Sequence, residues 1–154
     1  MIVTDASFWV SSLHRDIHTQ ATVAWLMNYL ATNDLLIAPN LLLAEVAGAV
    51  ARQTGRSRLG HVALTRLRRY TFLRIVPVDE PLSSLSAEMA ADYRLRGADA
   101  VYAALAYELG VPLLTWDQEQ ISRVQTVVKA GTPRTIFGGN GHGDSQSSTP
   151  TPHS

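Results

Sequence analysis

The sequence predicts an α/β fold, with a parallel sheet covered on both faces by helices. Three observations point there. Short apolar runs rich in branched residues recur along the chain, as in the first residues, at Leu35–Ala38 and at Val111–Leu114. These runs are nearly continuous in apolar character, which marks strands buried on both faces. Longer stretches with helical periodicity lie between them, punctuated by glycine, proline or asparagine.

The first residues read as a short buried strand ending at Asp5, and Ser7 to His14 as a turn or short helix. Thr19 to Ala31 is helical, with Val23, Leu26, Met27 and Leu30 on one stripe, and Asn33-Asp34 stops it. Leu35–Ala38, bounded by Pro39, is the second strand. Pro39-Asn40 opens a helix to about Arg52 or Gln53, and Gly55 breaks it. Ser57 to Tyr70 is a further helix and Leu73 to Val78 a third strand. Pro81 starts a helix running to about Leu95, which Gly97 separates from another, Ala98 to Leu109, capped by Gly110. Val111–Leu114 is the fourth strand, and Val124–Val128 offers a fifth. From Gly138 the composition turns to glycine, serine, threonine and proline, which bury too little apolar surface to stay ordered. The expected organisation is one folded domain, 1–137, and a disordered tail, 138–154.

At 154 residues and 46% hydrophobic content, the chain can build its own core. It holds no cysteine, which excludes a disulfide framework and thiolate metal sites and suits a reducing cytoplasm. No apolar stretch approaches the roughly 20 residues of a membrane span, and the N-terminus does not read as a secretory leader. Net charge is zero, so no global basic excess marks the chain as a nucleic-acid binder. Locally, seven arginines fall between Arg52 and Arg74 with no acidic residue among them. They read either as a solvated helix face or as a surface for phosphates.

Ligand sites of open parallel sheets lie beyond the carboxyl ends of the strands. Asp5 and Asp117 follow the first and fourth strands, and Asp99 sits in the first turn of its helix. Glu45 interrupts an otherwise apolar helix, where a carboxylate is costly to bury unpaired. Each has a structural alternative: Asp5 and Asp117 as caps, Asp99 as a helix-start charge, Glu45 as a residue on a solvent seam. Carboxylates converging on one place repel one another unless a cation neutralises them, and oxygen-only ligation favours magnesium or manganese. Such sites hydrolyse phosphodiesters by activating a metal-bound water. Ser7 and Thr115 stand beside Asp5 and Asp117 and are candidates to position a carboxylate. Arg94 and Arg96 are candidates to meet RNA phosphate or an inhibitor. The histidines form no HExxH pair. His14 and His18 read as surface residues, and Trp9 and Trp116 as packing residues, with stacking on a base as the alternative.

The blocks Ile2-Val-Thr-Asp5-Ala-Ser7, Ile37-Ala-Pro-Asn-Leu-Leu-Leu-Ala-Glu45-Val, Arg96-Gly-Ala-Asp99-Ala-Val-Tyr-Ala-Ala-Leu-Ala and Leu113-Leu-Thr115-Trp-Asp117 resemble the PIN domain, and most nearly its VapC-like toxins. The resemblance covers about residues 1–130. It implies a three-layer α/β/α sandwich and a magnesium- or manganese-dependent endoribonuclease with Asp5, Glu45, Asp99 and Asp117 as its acidic metal site. It further implies a homodimer inhibited by a small antitoxin whose C-terminal segment docks near that site. Asn40 departs from the serine often found before the glutamate helix. A haloacid-dehalogenase-like phosphatase needs a second aspartate where Ser7 stands, and neither a phosphate-binding glycine loop nor a nucleophile elbow is present. The competing expectation is a non-catalytic domain that binds RNA or protein through the arginine-rich 52–74 stretch.

Overall fold

The computed structural model describes residues 1–136, so the expected boundary at 138 and the extension beyond it lie outside the described residues. Five strands form the sheet: β1 (Ile2–Thr4), β2 (Leu36–Pro39), β3 (Leu73–Val76), β4 (Leu113–Leu114) and β5 (Ala130–Gly131). All neighbours pair in parallel, in the order β3-β2-β1-β4-β5. Val3 in the central strand is matched by Ile37 on one side and Leu113 on the other. Every residue of β1, β2 and β4 is buried, as continuous apolar runs require.

The helices are α1 (Ala6–Leu13), α2 (Thr19–Leu30), α3 (Leu41–Thr54), α4 (Ser57–Arg69), α5 (Glu80–Tyr93), α6 (Gly97–Leu109) and α7 (Gln118–Val124). From β1 the chain steps outward through β2 to β3, then returns to β4 on the other side of β1. Right-handed crossovers therefore put α1–α4 on one face and α5–α7 on the other, giving three layers. The reversal makes the carboxyl ends of β1 and β4 the switch point at which loops diverge and a crevice opens. Helices α3 and α6 both begin at this edge.

Two expectations need correction. Val124–Val128 is not a strand. Asp117 caps a helix that carries the chain to Val124, and the fifth strand is Ala130–Gly131, too short and small to show as an apolar run. In α2 the buried face is Thr22, Trp25 and Tyr29, while Val23 and Met27 are exposed. The aromatic rings carry more apolar area than the aliphatic stripe and pack as a chain. Phe8 meets Trp25 edge-on at 5.5 Å, and Trp25 stacks on Tyr29 at 4.7 Å. The α3–α4 pair is fixed by a close approach at Gly60, where a Cβ would come within 2.5 Å of the Ala47 carbonyl oxygen. No helix among the described residues is long and apolar enough to cross a membrane.

Candidate active site

Asp5, Glu45, Asp99 and Asp117 line one pocket of about 260 Å³ at the switch point, together with Ser7, Tyr102 and Arg96. Four elements deliver them. Asp5 ends β1, Glu45 lies in the second turn of α3, Asp99 in the first turn of α6, and Asp117 follows β4. Asp5 and Asp117 are also the helix caps that the simpler reading of each allowed. Oδ1 of Asp5 accepts from the Phe8 amide at 3.2 Å, and Oδ1 of Asp117 accepts from Glu119 and Gln120 at 2.9 and 3.1 Å. In each case capping engages Oδ1, while Oδ2 of Asp5 accepts from Thr115 and Oδ2 of Asp117 from Arg96.

Asp5 is held most tightly. Ser7 Oγ donates to its Oδ1 at 2.7 Å and Thr115 Oγ1 to its Oδ2 at 2.6 Å. The same hydroxyls accept from the next loop, Ser7 Oγ from the Trp116 amide and Thr115 Oγ1 from the Asp117 amide, both at 2.9 Å. This network ties the end of β1 to the end of β4 and fixes the rotamer of Asp5. Burial raises the Asp5 carboxyl to about 6. Donation by Thr115, Ser7 and Phe8 offsets part of that cost, and the nearby Asp99 charge adds to it.

Glu45 is half-buried, and burial, with a contribution from Asp99, raises its pKa. Its Oε2 accepts from the Tyr102 hydroxyl at 2.5 Å, and the Tyr102 hydroxyl is in turn pushed up by burial and by Glu45. Asp99 is likewise raised by burial, although Arg96 pulls against the shift. Arg96, the N-cap of α6, spans the two outer carboxylates. Its Nε meets Asp99 Oδ2 at 2.8 Å and its Nη2 meets Asp117 Oδ2 at 2.7 Å. Arg94 adopts a left-handed conformation at the end of α5, and it does not line the pocket.

The donor set is all oxygen, and it matches a hard divalent cation in kind. Burial and mutual repulsion raise three of the four carboxyls, the condition that such a cation relieves. Among the described residues, no three acidic or histidine side chains are already drawn together as a metal-binding group. Arg96 supplies the positive charge between Asp99 and Asp117 instead.

Sequence reasoning passed over Tyr102, although its place three residues after Asp99 puts it on the same helical face. The expectation of a surface role for His18 also needs correction. The ring is half-buried and stacked on Trp116, 4.0 Å between centres and 11° from parallel. Trp9 is a packing residue, fully buried and stacked on Tyr70 at 5.6 Å.

The PIN domain family profile matches residues 2–126 of this chain. Among curated proteins, none matches. Solved structures share the fold. The Mycobacterium tuberculosis toxin VapC20, described as cleaving the sarcin-ricin loop, is 19% identical with a TM-score of 0.70, over 84% of this chain and 98% of that one. FitAcB from Neisseria gonorrhoeae is 23% identical with a TM-score of 0.67, over 88% and 100%. VapBC2 from Rickettsia felis, solved with a DNA fragment of its promoter, is 15% identical with a TM-score of 0.66, over 86% and 98%.

Proposed function

The chain belongs to the PIN domain family, and from that premise we propose that it is a divalent-metal-dependent endoribonuclease, the toxin of a toxin–antitoxin pair. One observation carries the proposal. Four carboxylates from four separate elements line a single pocket, and Asp5 among them is buried with its pKa raised to about 6. A fold spends stability on such a cluster where the charge has work to do.

Asp5, Asp99, Asp117 and Glu45 would hold magnesium or manganese. Such an ion, when bound, activates water and stabilises the attacking and leaving oxygens of a phosphodiester. The chain's own groups do the positioning. Ser7 and Thr115 hold both oxygens of Asp5, so the carboxylate reaches the pocket in one orientation. Tyr102 engages Oε2 of Glu45 and leaves Oε1 to accept a proton from water. Arg96 bridges Asp99 and Asp117 and offsets their mutual repulsion.

The solved relatives extend the reading to partners. They include a sarcin-ricin-loop-cleaving toxin and a toxin–antitoxin complex from Klebsiella pneumoniae. The proposed partners are accordingly an RNA substrate, a cognate antitoxin and a second copy of the chain, in the cytoplasm. The test is purified protein on total cellular RNA with magnesium, with manganese, and with chelator. Cleavage should require the ion and vanish in Asp5→Asn and Asp99→Asn while both variants stay folded. Intact RNA under every condition, or cleavage indifferent to both substitutions, would overturn it.

A further inference from the structure

A second, larger groove of about 750 Å³ opens directly beside the acidic pocket and shares Ser7, Glu45 and Asp117 with it. Its walls add His18 and Trp116 on one side and Arg52 and Gln53 on the other. Resting on the ribonuclease reading, we propose that this groove seats the single-stranded nucleotide next to the cleaved phosphate, with its base on His18 and its phosphate at Arg52.

The aromatic wall is built to be rigid. Trp116 Nε1 donates to Thr22 Oγ1 at 2.9 Å, and its amide donates to Ser7. His18 lies flat on this fixed indole, and its own amide is held by Asp16 Oδ1 at 2.8 Å. Among the described residues no other ring covers His18, so a base can continue the stack. Stacking suits any base and depends on a flat, preorganised surface.

The opposite wall supplies the phosphate contact. Arg52 is exposed and enters no ion pair among the described residues. Its guanidinium folds over Gly48, where a Cβ would stand 3.0 Å from Nη1, so the missing side chain there lets it lie along α3. Asp16, which lines the groove beside Glu45 and Asp117, is held in a local hydrogen-bond network. Ser11 Oγ donates to its Oδ2 at 2.7 Å, while the His18 amide and the Thr19 hydroxyl share its Oδ1. A chain of nucleotides lying from Arg52 past His18 toward Asp117 thus crosses a basic group, a stacking face and the acidic pocket in turn.

The experiment measures binding of a short fluorescent single-stranded RNA by anisotropy, with Asp5→Asn in every protein to prevent cleavage. Adding His18→Ala should weaken binding by about tenfold, the scale of one lost base stack, while His18→Phe should restore it to within about twofold. Adding Arg52→Ala should weaken binding and flatten its salt dependence by about one phosphate contact. Equal affinity in His18→Ala and the parent, or His18→Phe as weak as His18→Ala with both folded by circular dichroism, overturns the proposal. Cleavage by the otherwise unaltered protein is scored separately. Cleavage with His18-independent binding removes the groove and keeps the nuclease. His18-dependent binding by a protein that cleaves nothing supports the nucleotide site and removes the nuclease.

Discussion

Tyr102 donates its hydroxyl hydrogen to Glu45 Oε2 across 2.5 Å, a bond that joins α6 to α3 over the carboxyl edge of the sheet. The helices lie on opposite faces, so no local sequence element holds Glu45 in the pocket; a residue 57 positions away does. Removing the hydroxyl leaves a half-buried carboxylate with one partner fewer. Tyr102→Phe should therefore lower stability by about 1–2 kcal/mol and lower kcat more than it raises KM. Denaturant melts and single-substrate kinetics check both. Unchanged kcat with an intact fold would show that Glu45 needs no positioning.

The pH dependence of stability follows from Asp5. An unfolded aspartate titrates near 3.8, whereas the buried Asp5 carboxyl is raised to about 6. Between those values the folded state keeps a proton that the unfolded state has lost. Stability must then fall as pH rises through that window, by up to about 3 kcal/mol at 1.36 kcal/mol per unit. Glu45 and Asp99 shift in the same direction and reinforce the trend. Asp5→Asn removes the largest contribution. In chelator, the variant should match the parent near pH 4 and exceed it in stability at pH 7.5. Parallel urea-melt curves across the range would contradict the burial of a charged Asp5.

The acidic set is legible in the sequence because each member breaks a local pattern. Asp5 and Asp117 end apolar runs, Asp99 opens a helix, and Glu45 interrupts an apolar one. The element order is legible for the same reason, since periodicity separates strands from helices. Three kinds of feature are not. Strand β5, Ala130–Gly131, is too short to show a pattern and exists through pairing with β4. The buried face of α2 is decided by ring contacts with Phe8, whose packing needs the tertiary fold. His18, Arg52 and Tyr102 gain their meaning from neighbours far along the chain. The His18–Trp116 stack joins residues 98 positions apart, and no spacing rule reaches that far.

A divalent cation should stabilise the folded protein by mass action. At a concentration about a hundred times the dissociation constant the gain is about 2.7 kcal/mol. Manganese should raise the melting temperature of the parent and chelator should reverse the rise. Asp99→Asn should respond much less, because it removes one donor from the pocket. A melting temperature indifferent to manganese in the parent would count directly against a metal site at these carboxylates.

Arg96 sets the last expectation. Its side chain is 73% exposed while it bridges Asp99 and Asp117, so its two ion pairs lie in a screened environment. Exposed pairs of this kind are worth about 0–1 kcal/mol each, and Arg96→Ala, which removes both, should lower stability in chelator by less than about 2 kcal/mol. The effect on metal binding should be opposite in sense. The guanidinium occupies the charge position between two of the four carboxylates, so a cation arriving there must displace it. Without Arg96 the two carboxylates repel more strongly and an incoming cation gains what the guanidinium had held. Manganese should then bind up to about thirtyfold more tightly to Arg96→Ala, the most that two pairs of about 1 kcal/mol each convert to. Calorimetric titration of the metal into both proteins measures this without reference to cleavage. Weaker binding in Arg96→Ala would mean instead that the arginine orients Asp99 and Asp117 for the ion and does not compete with it.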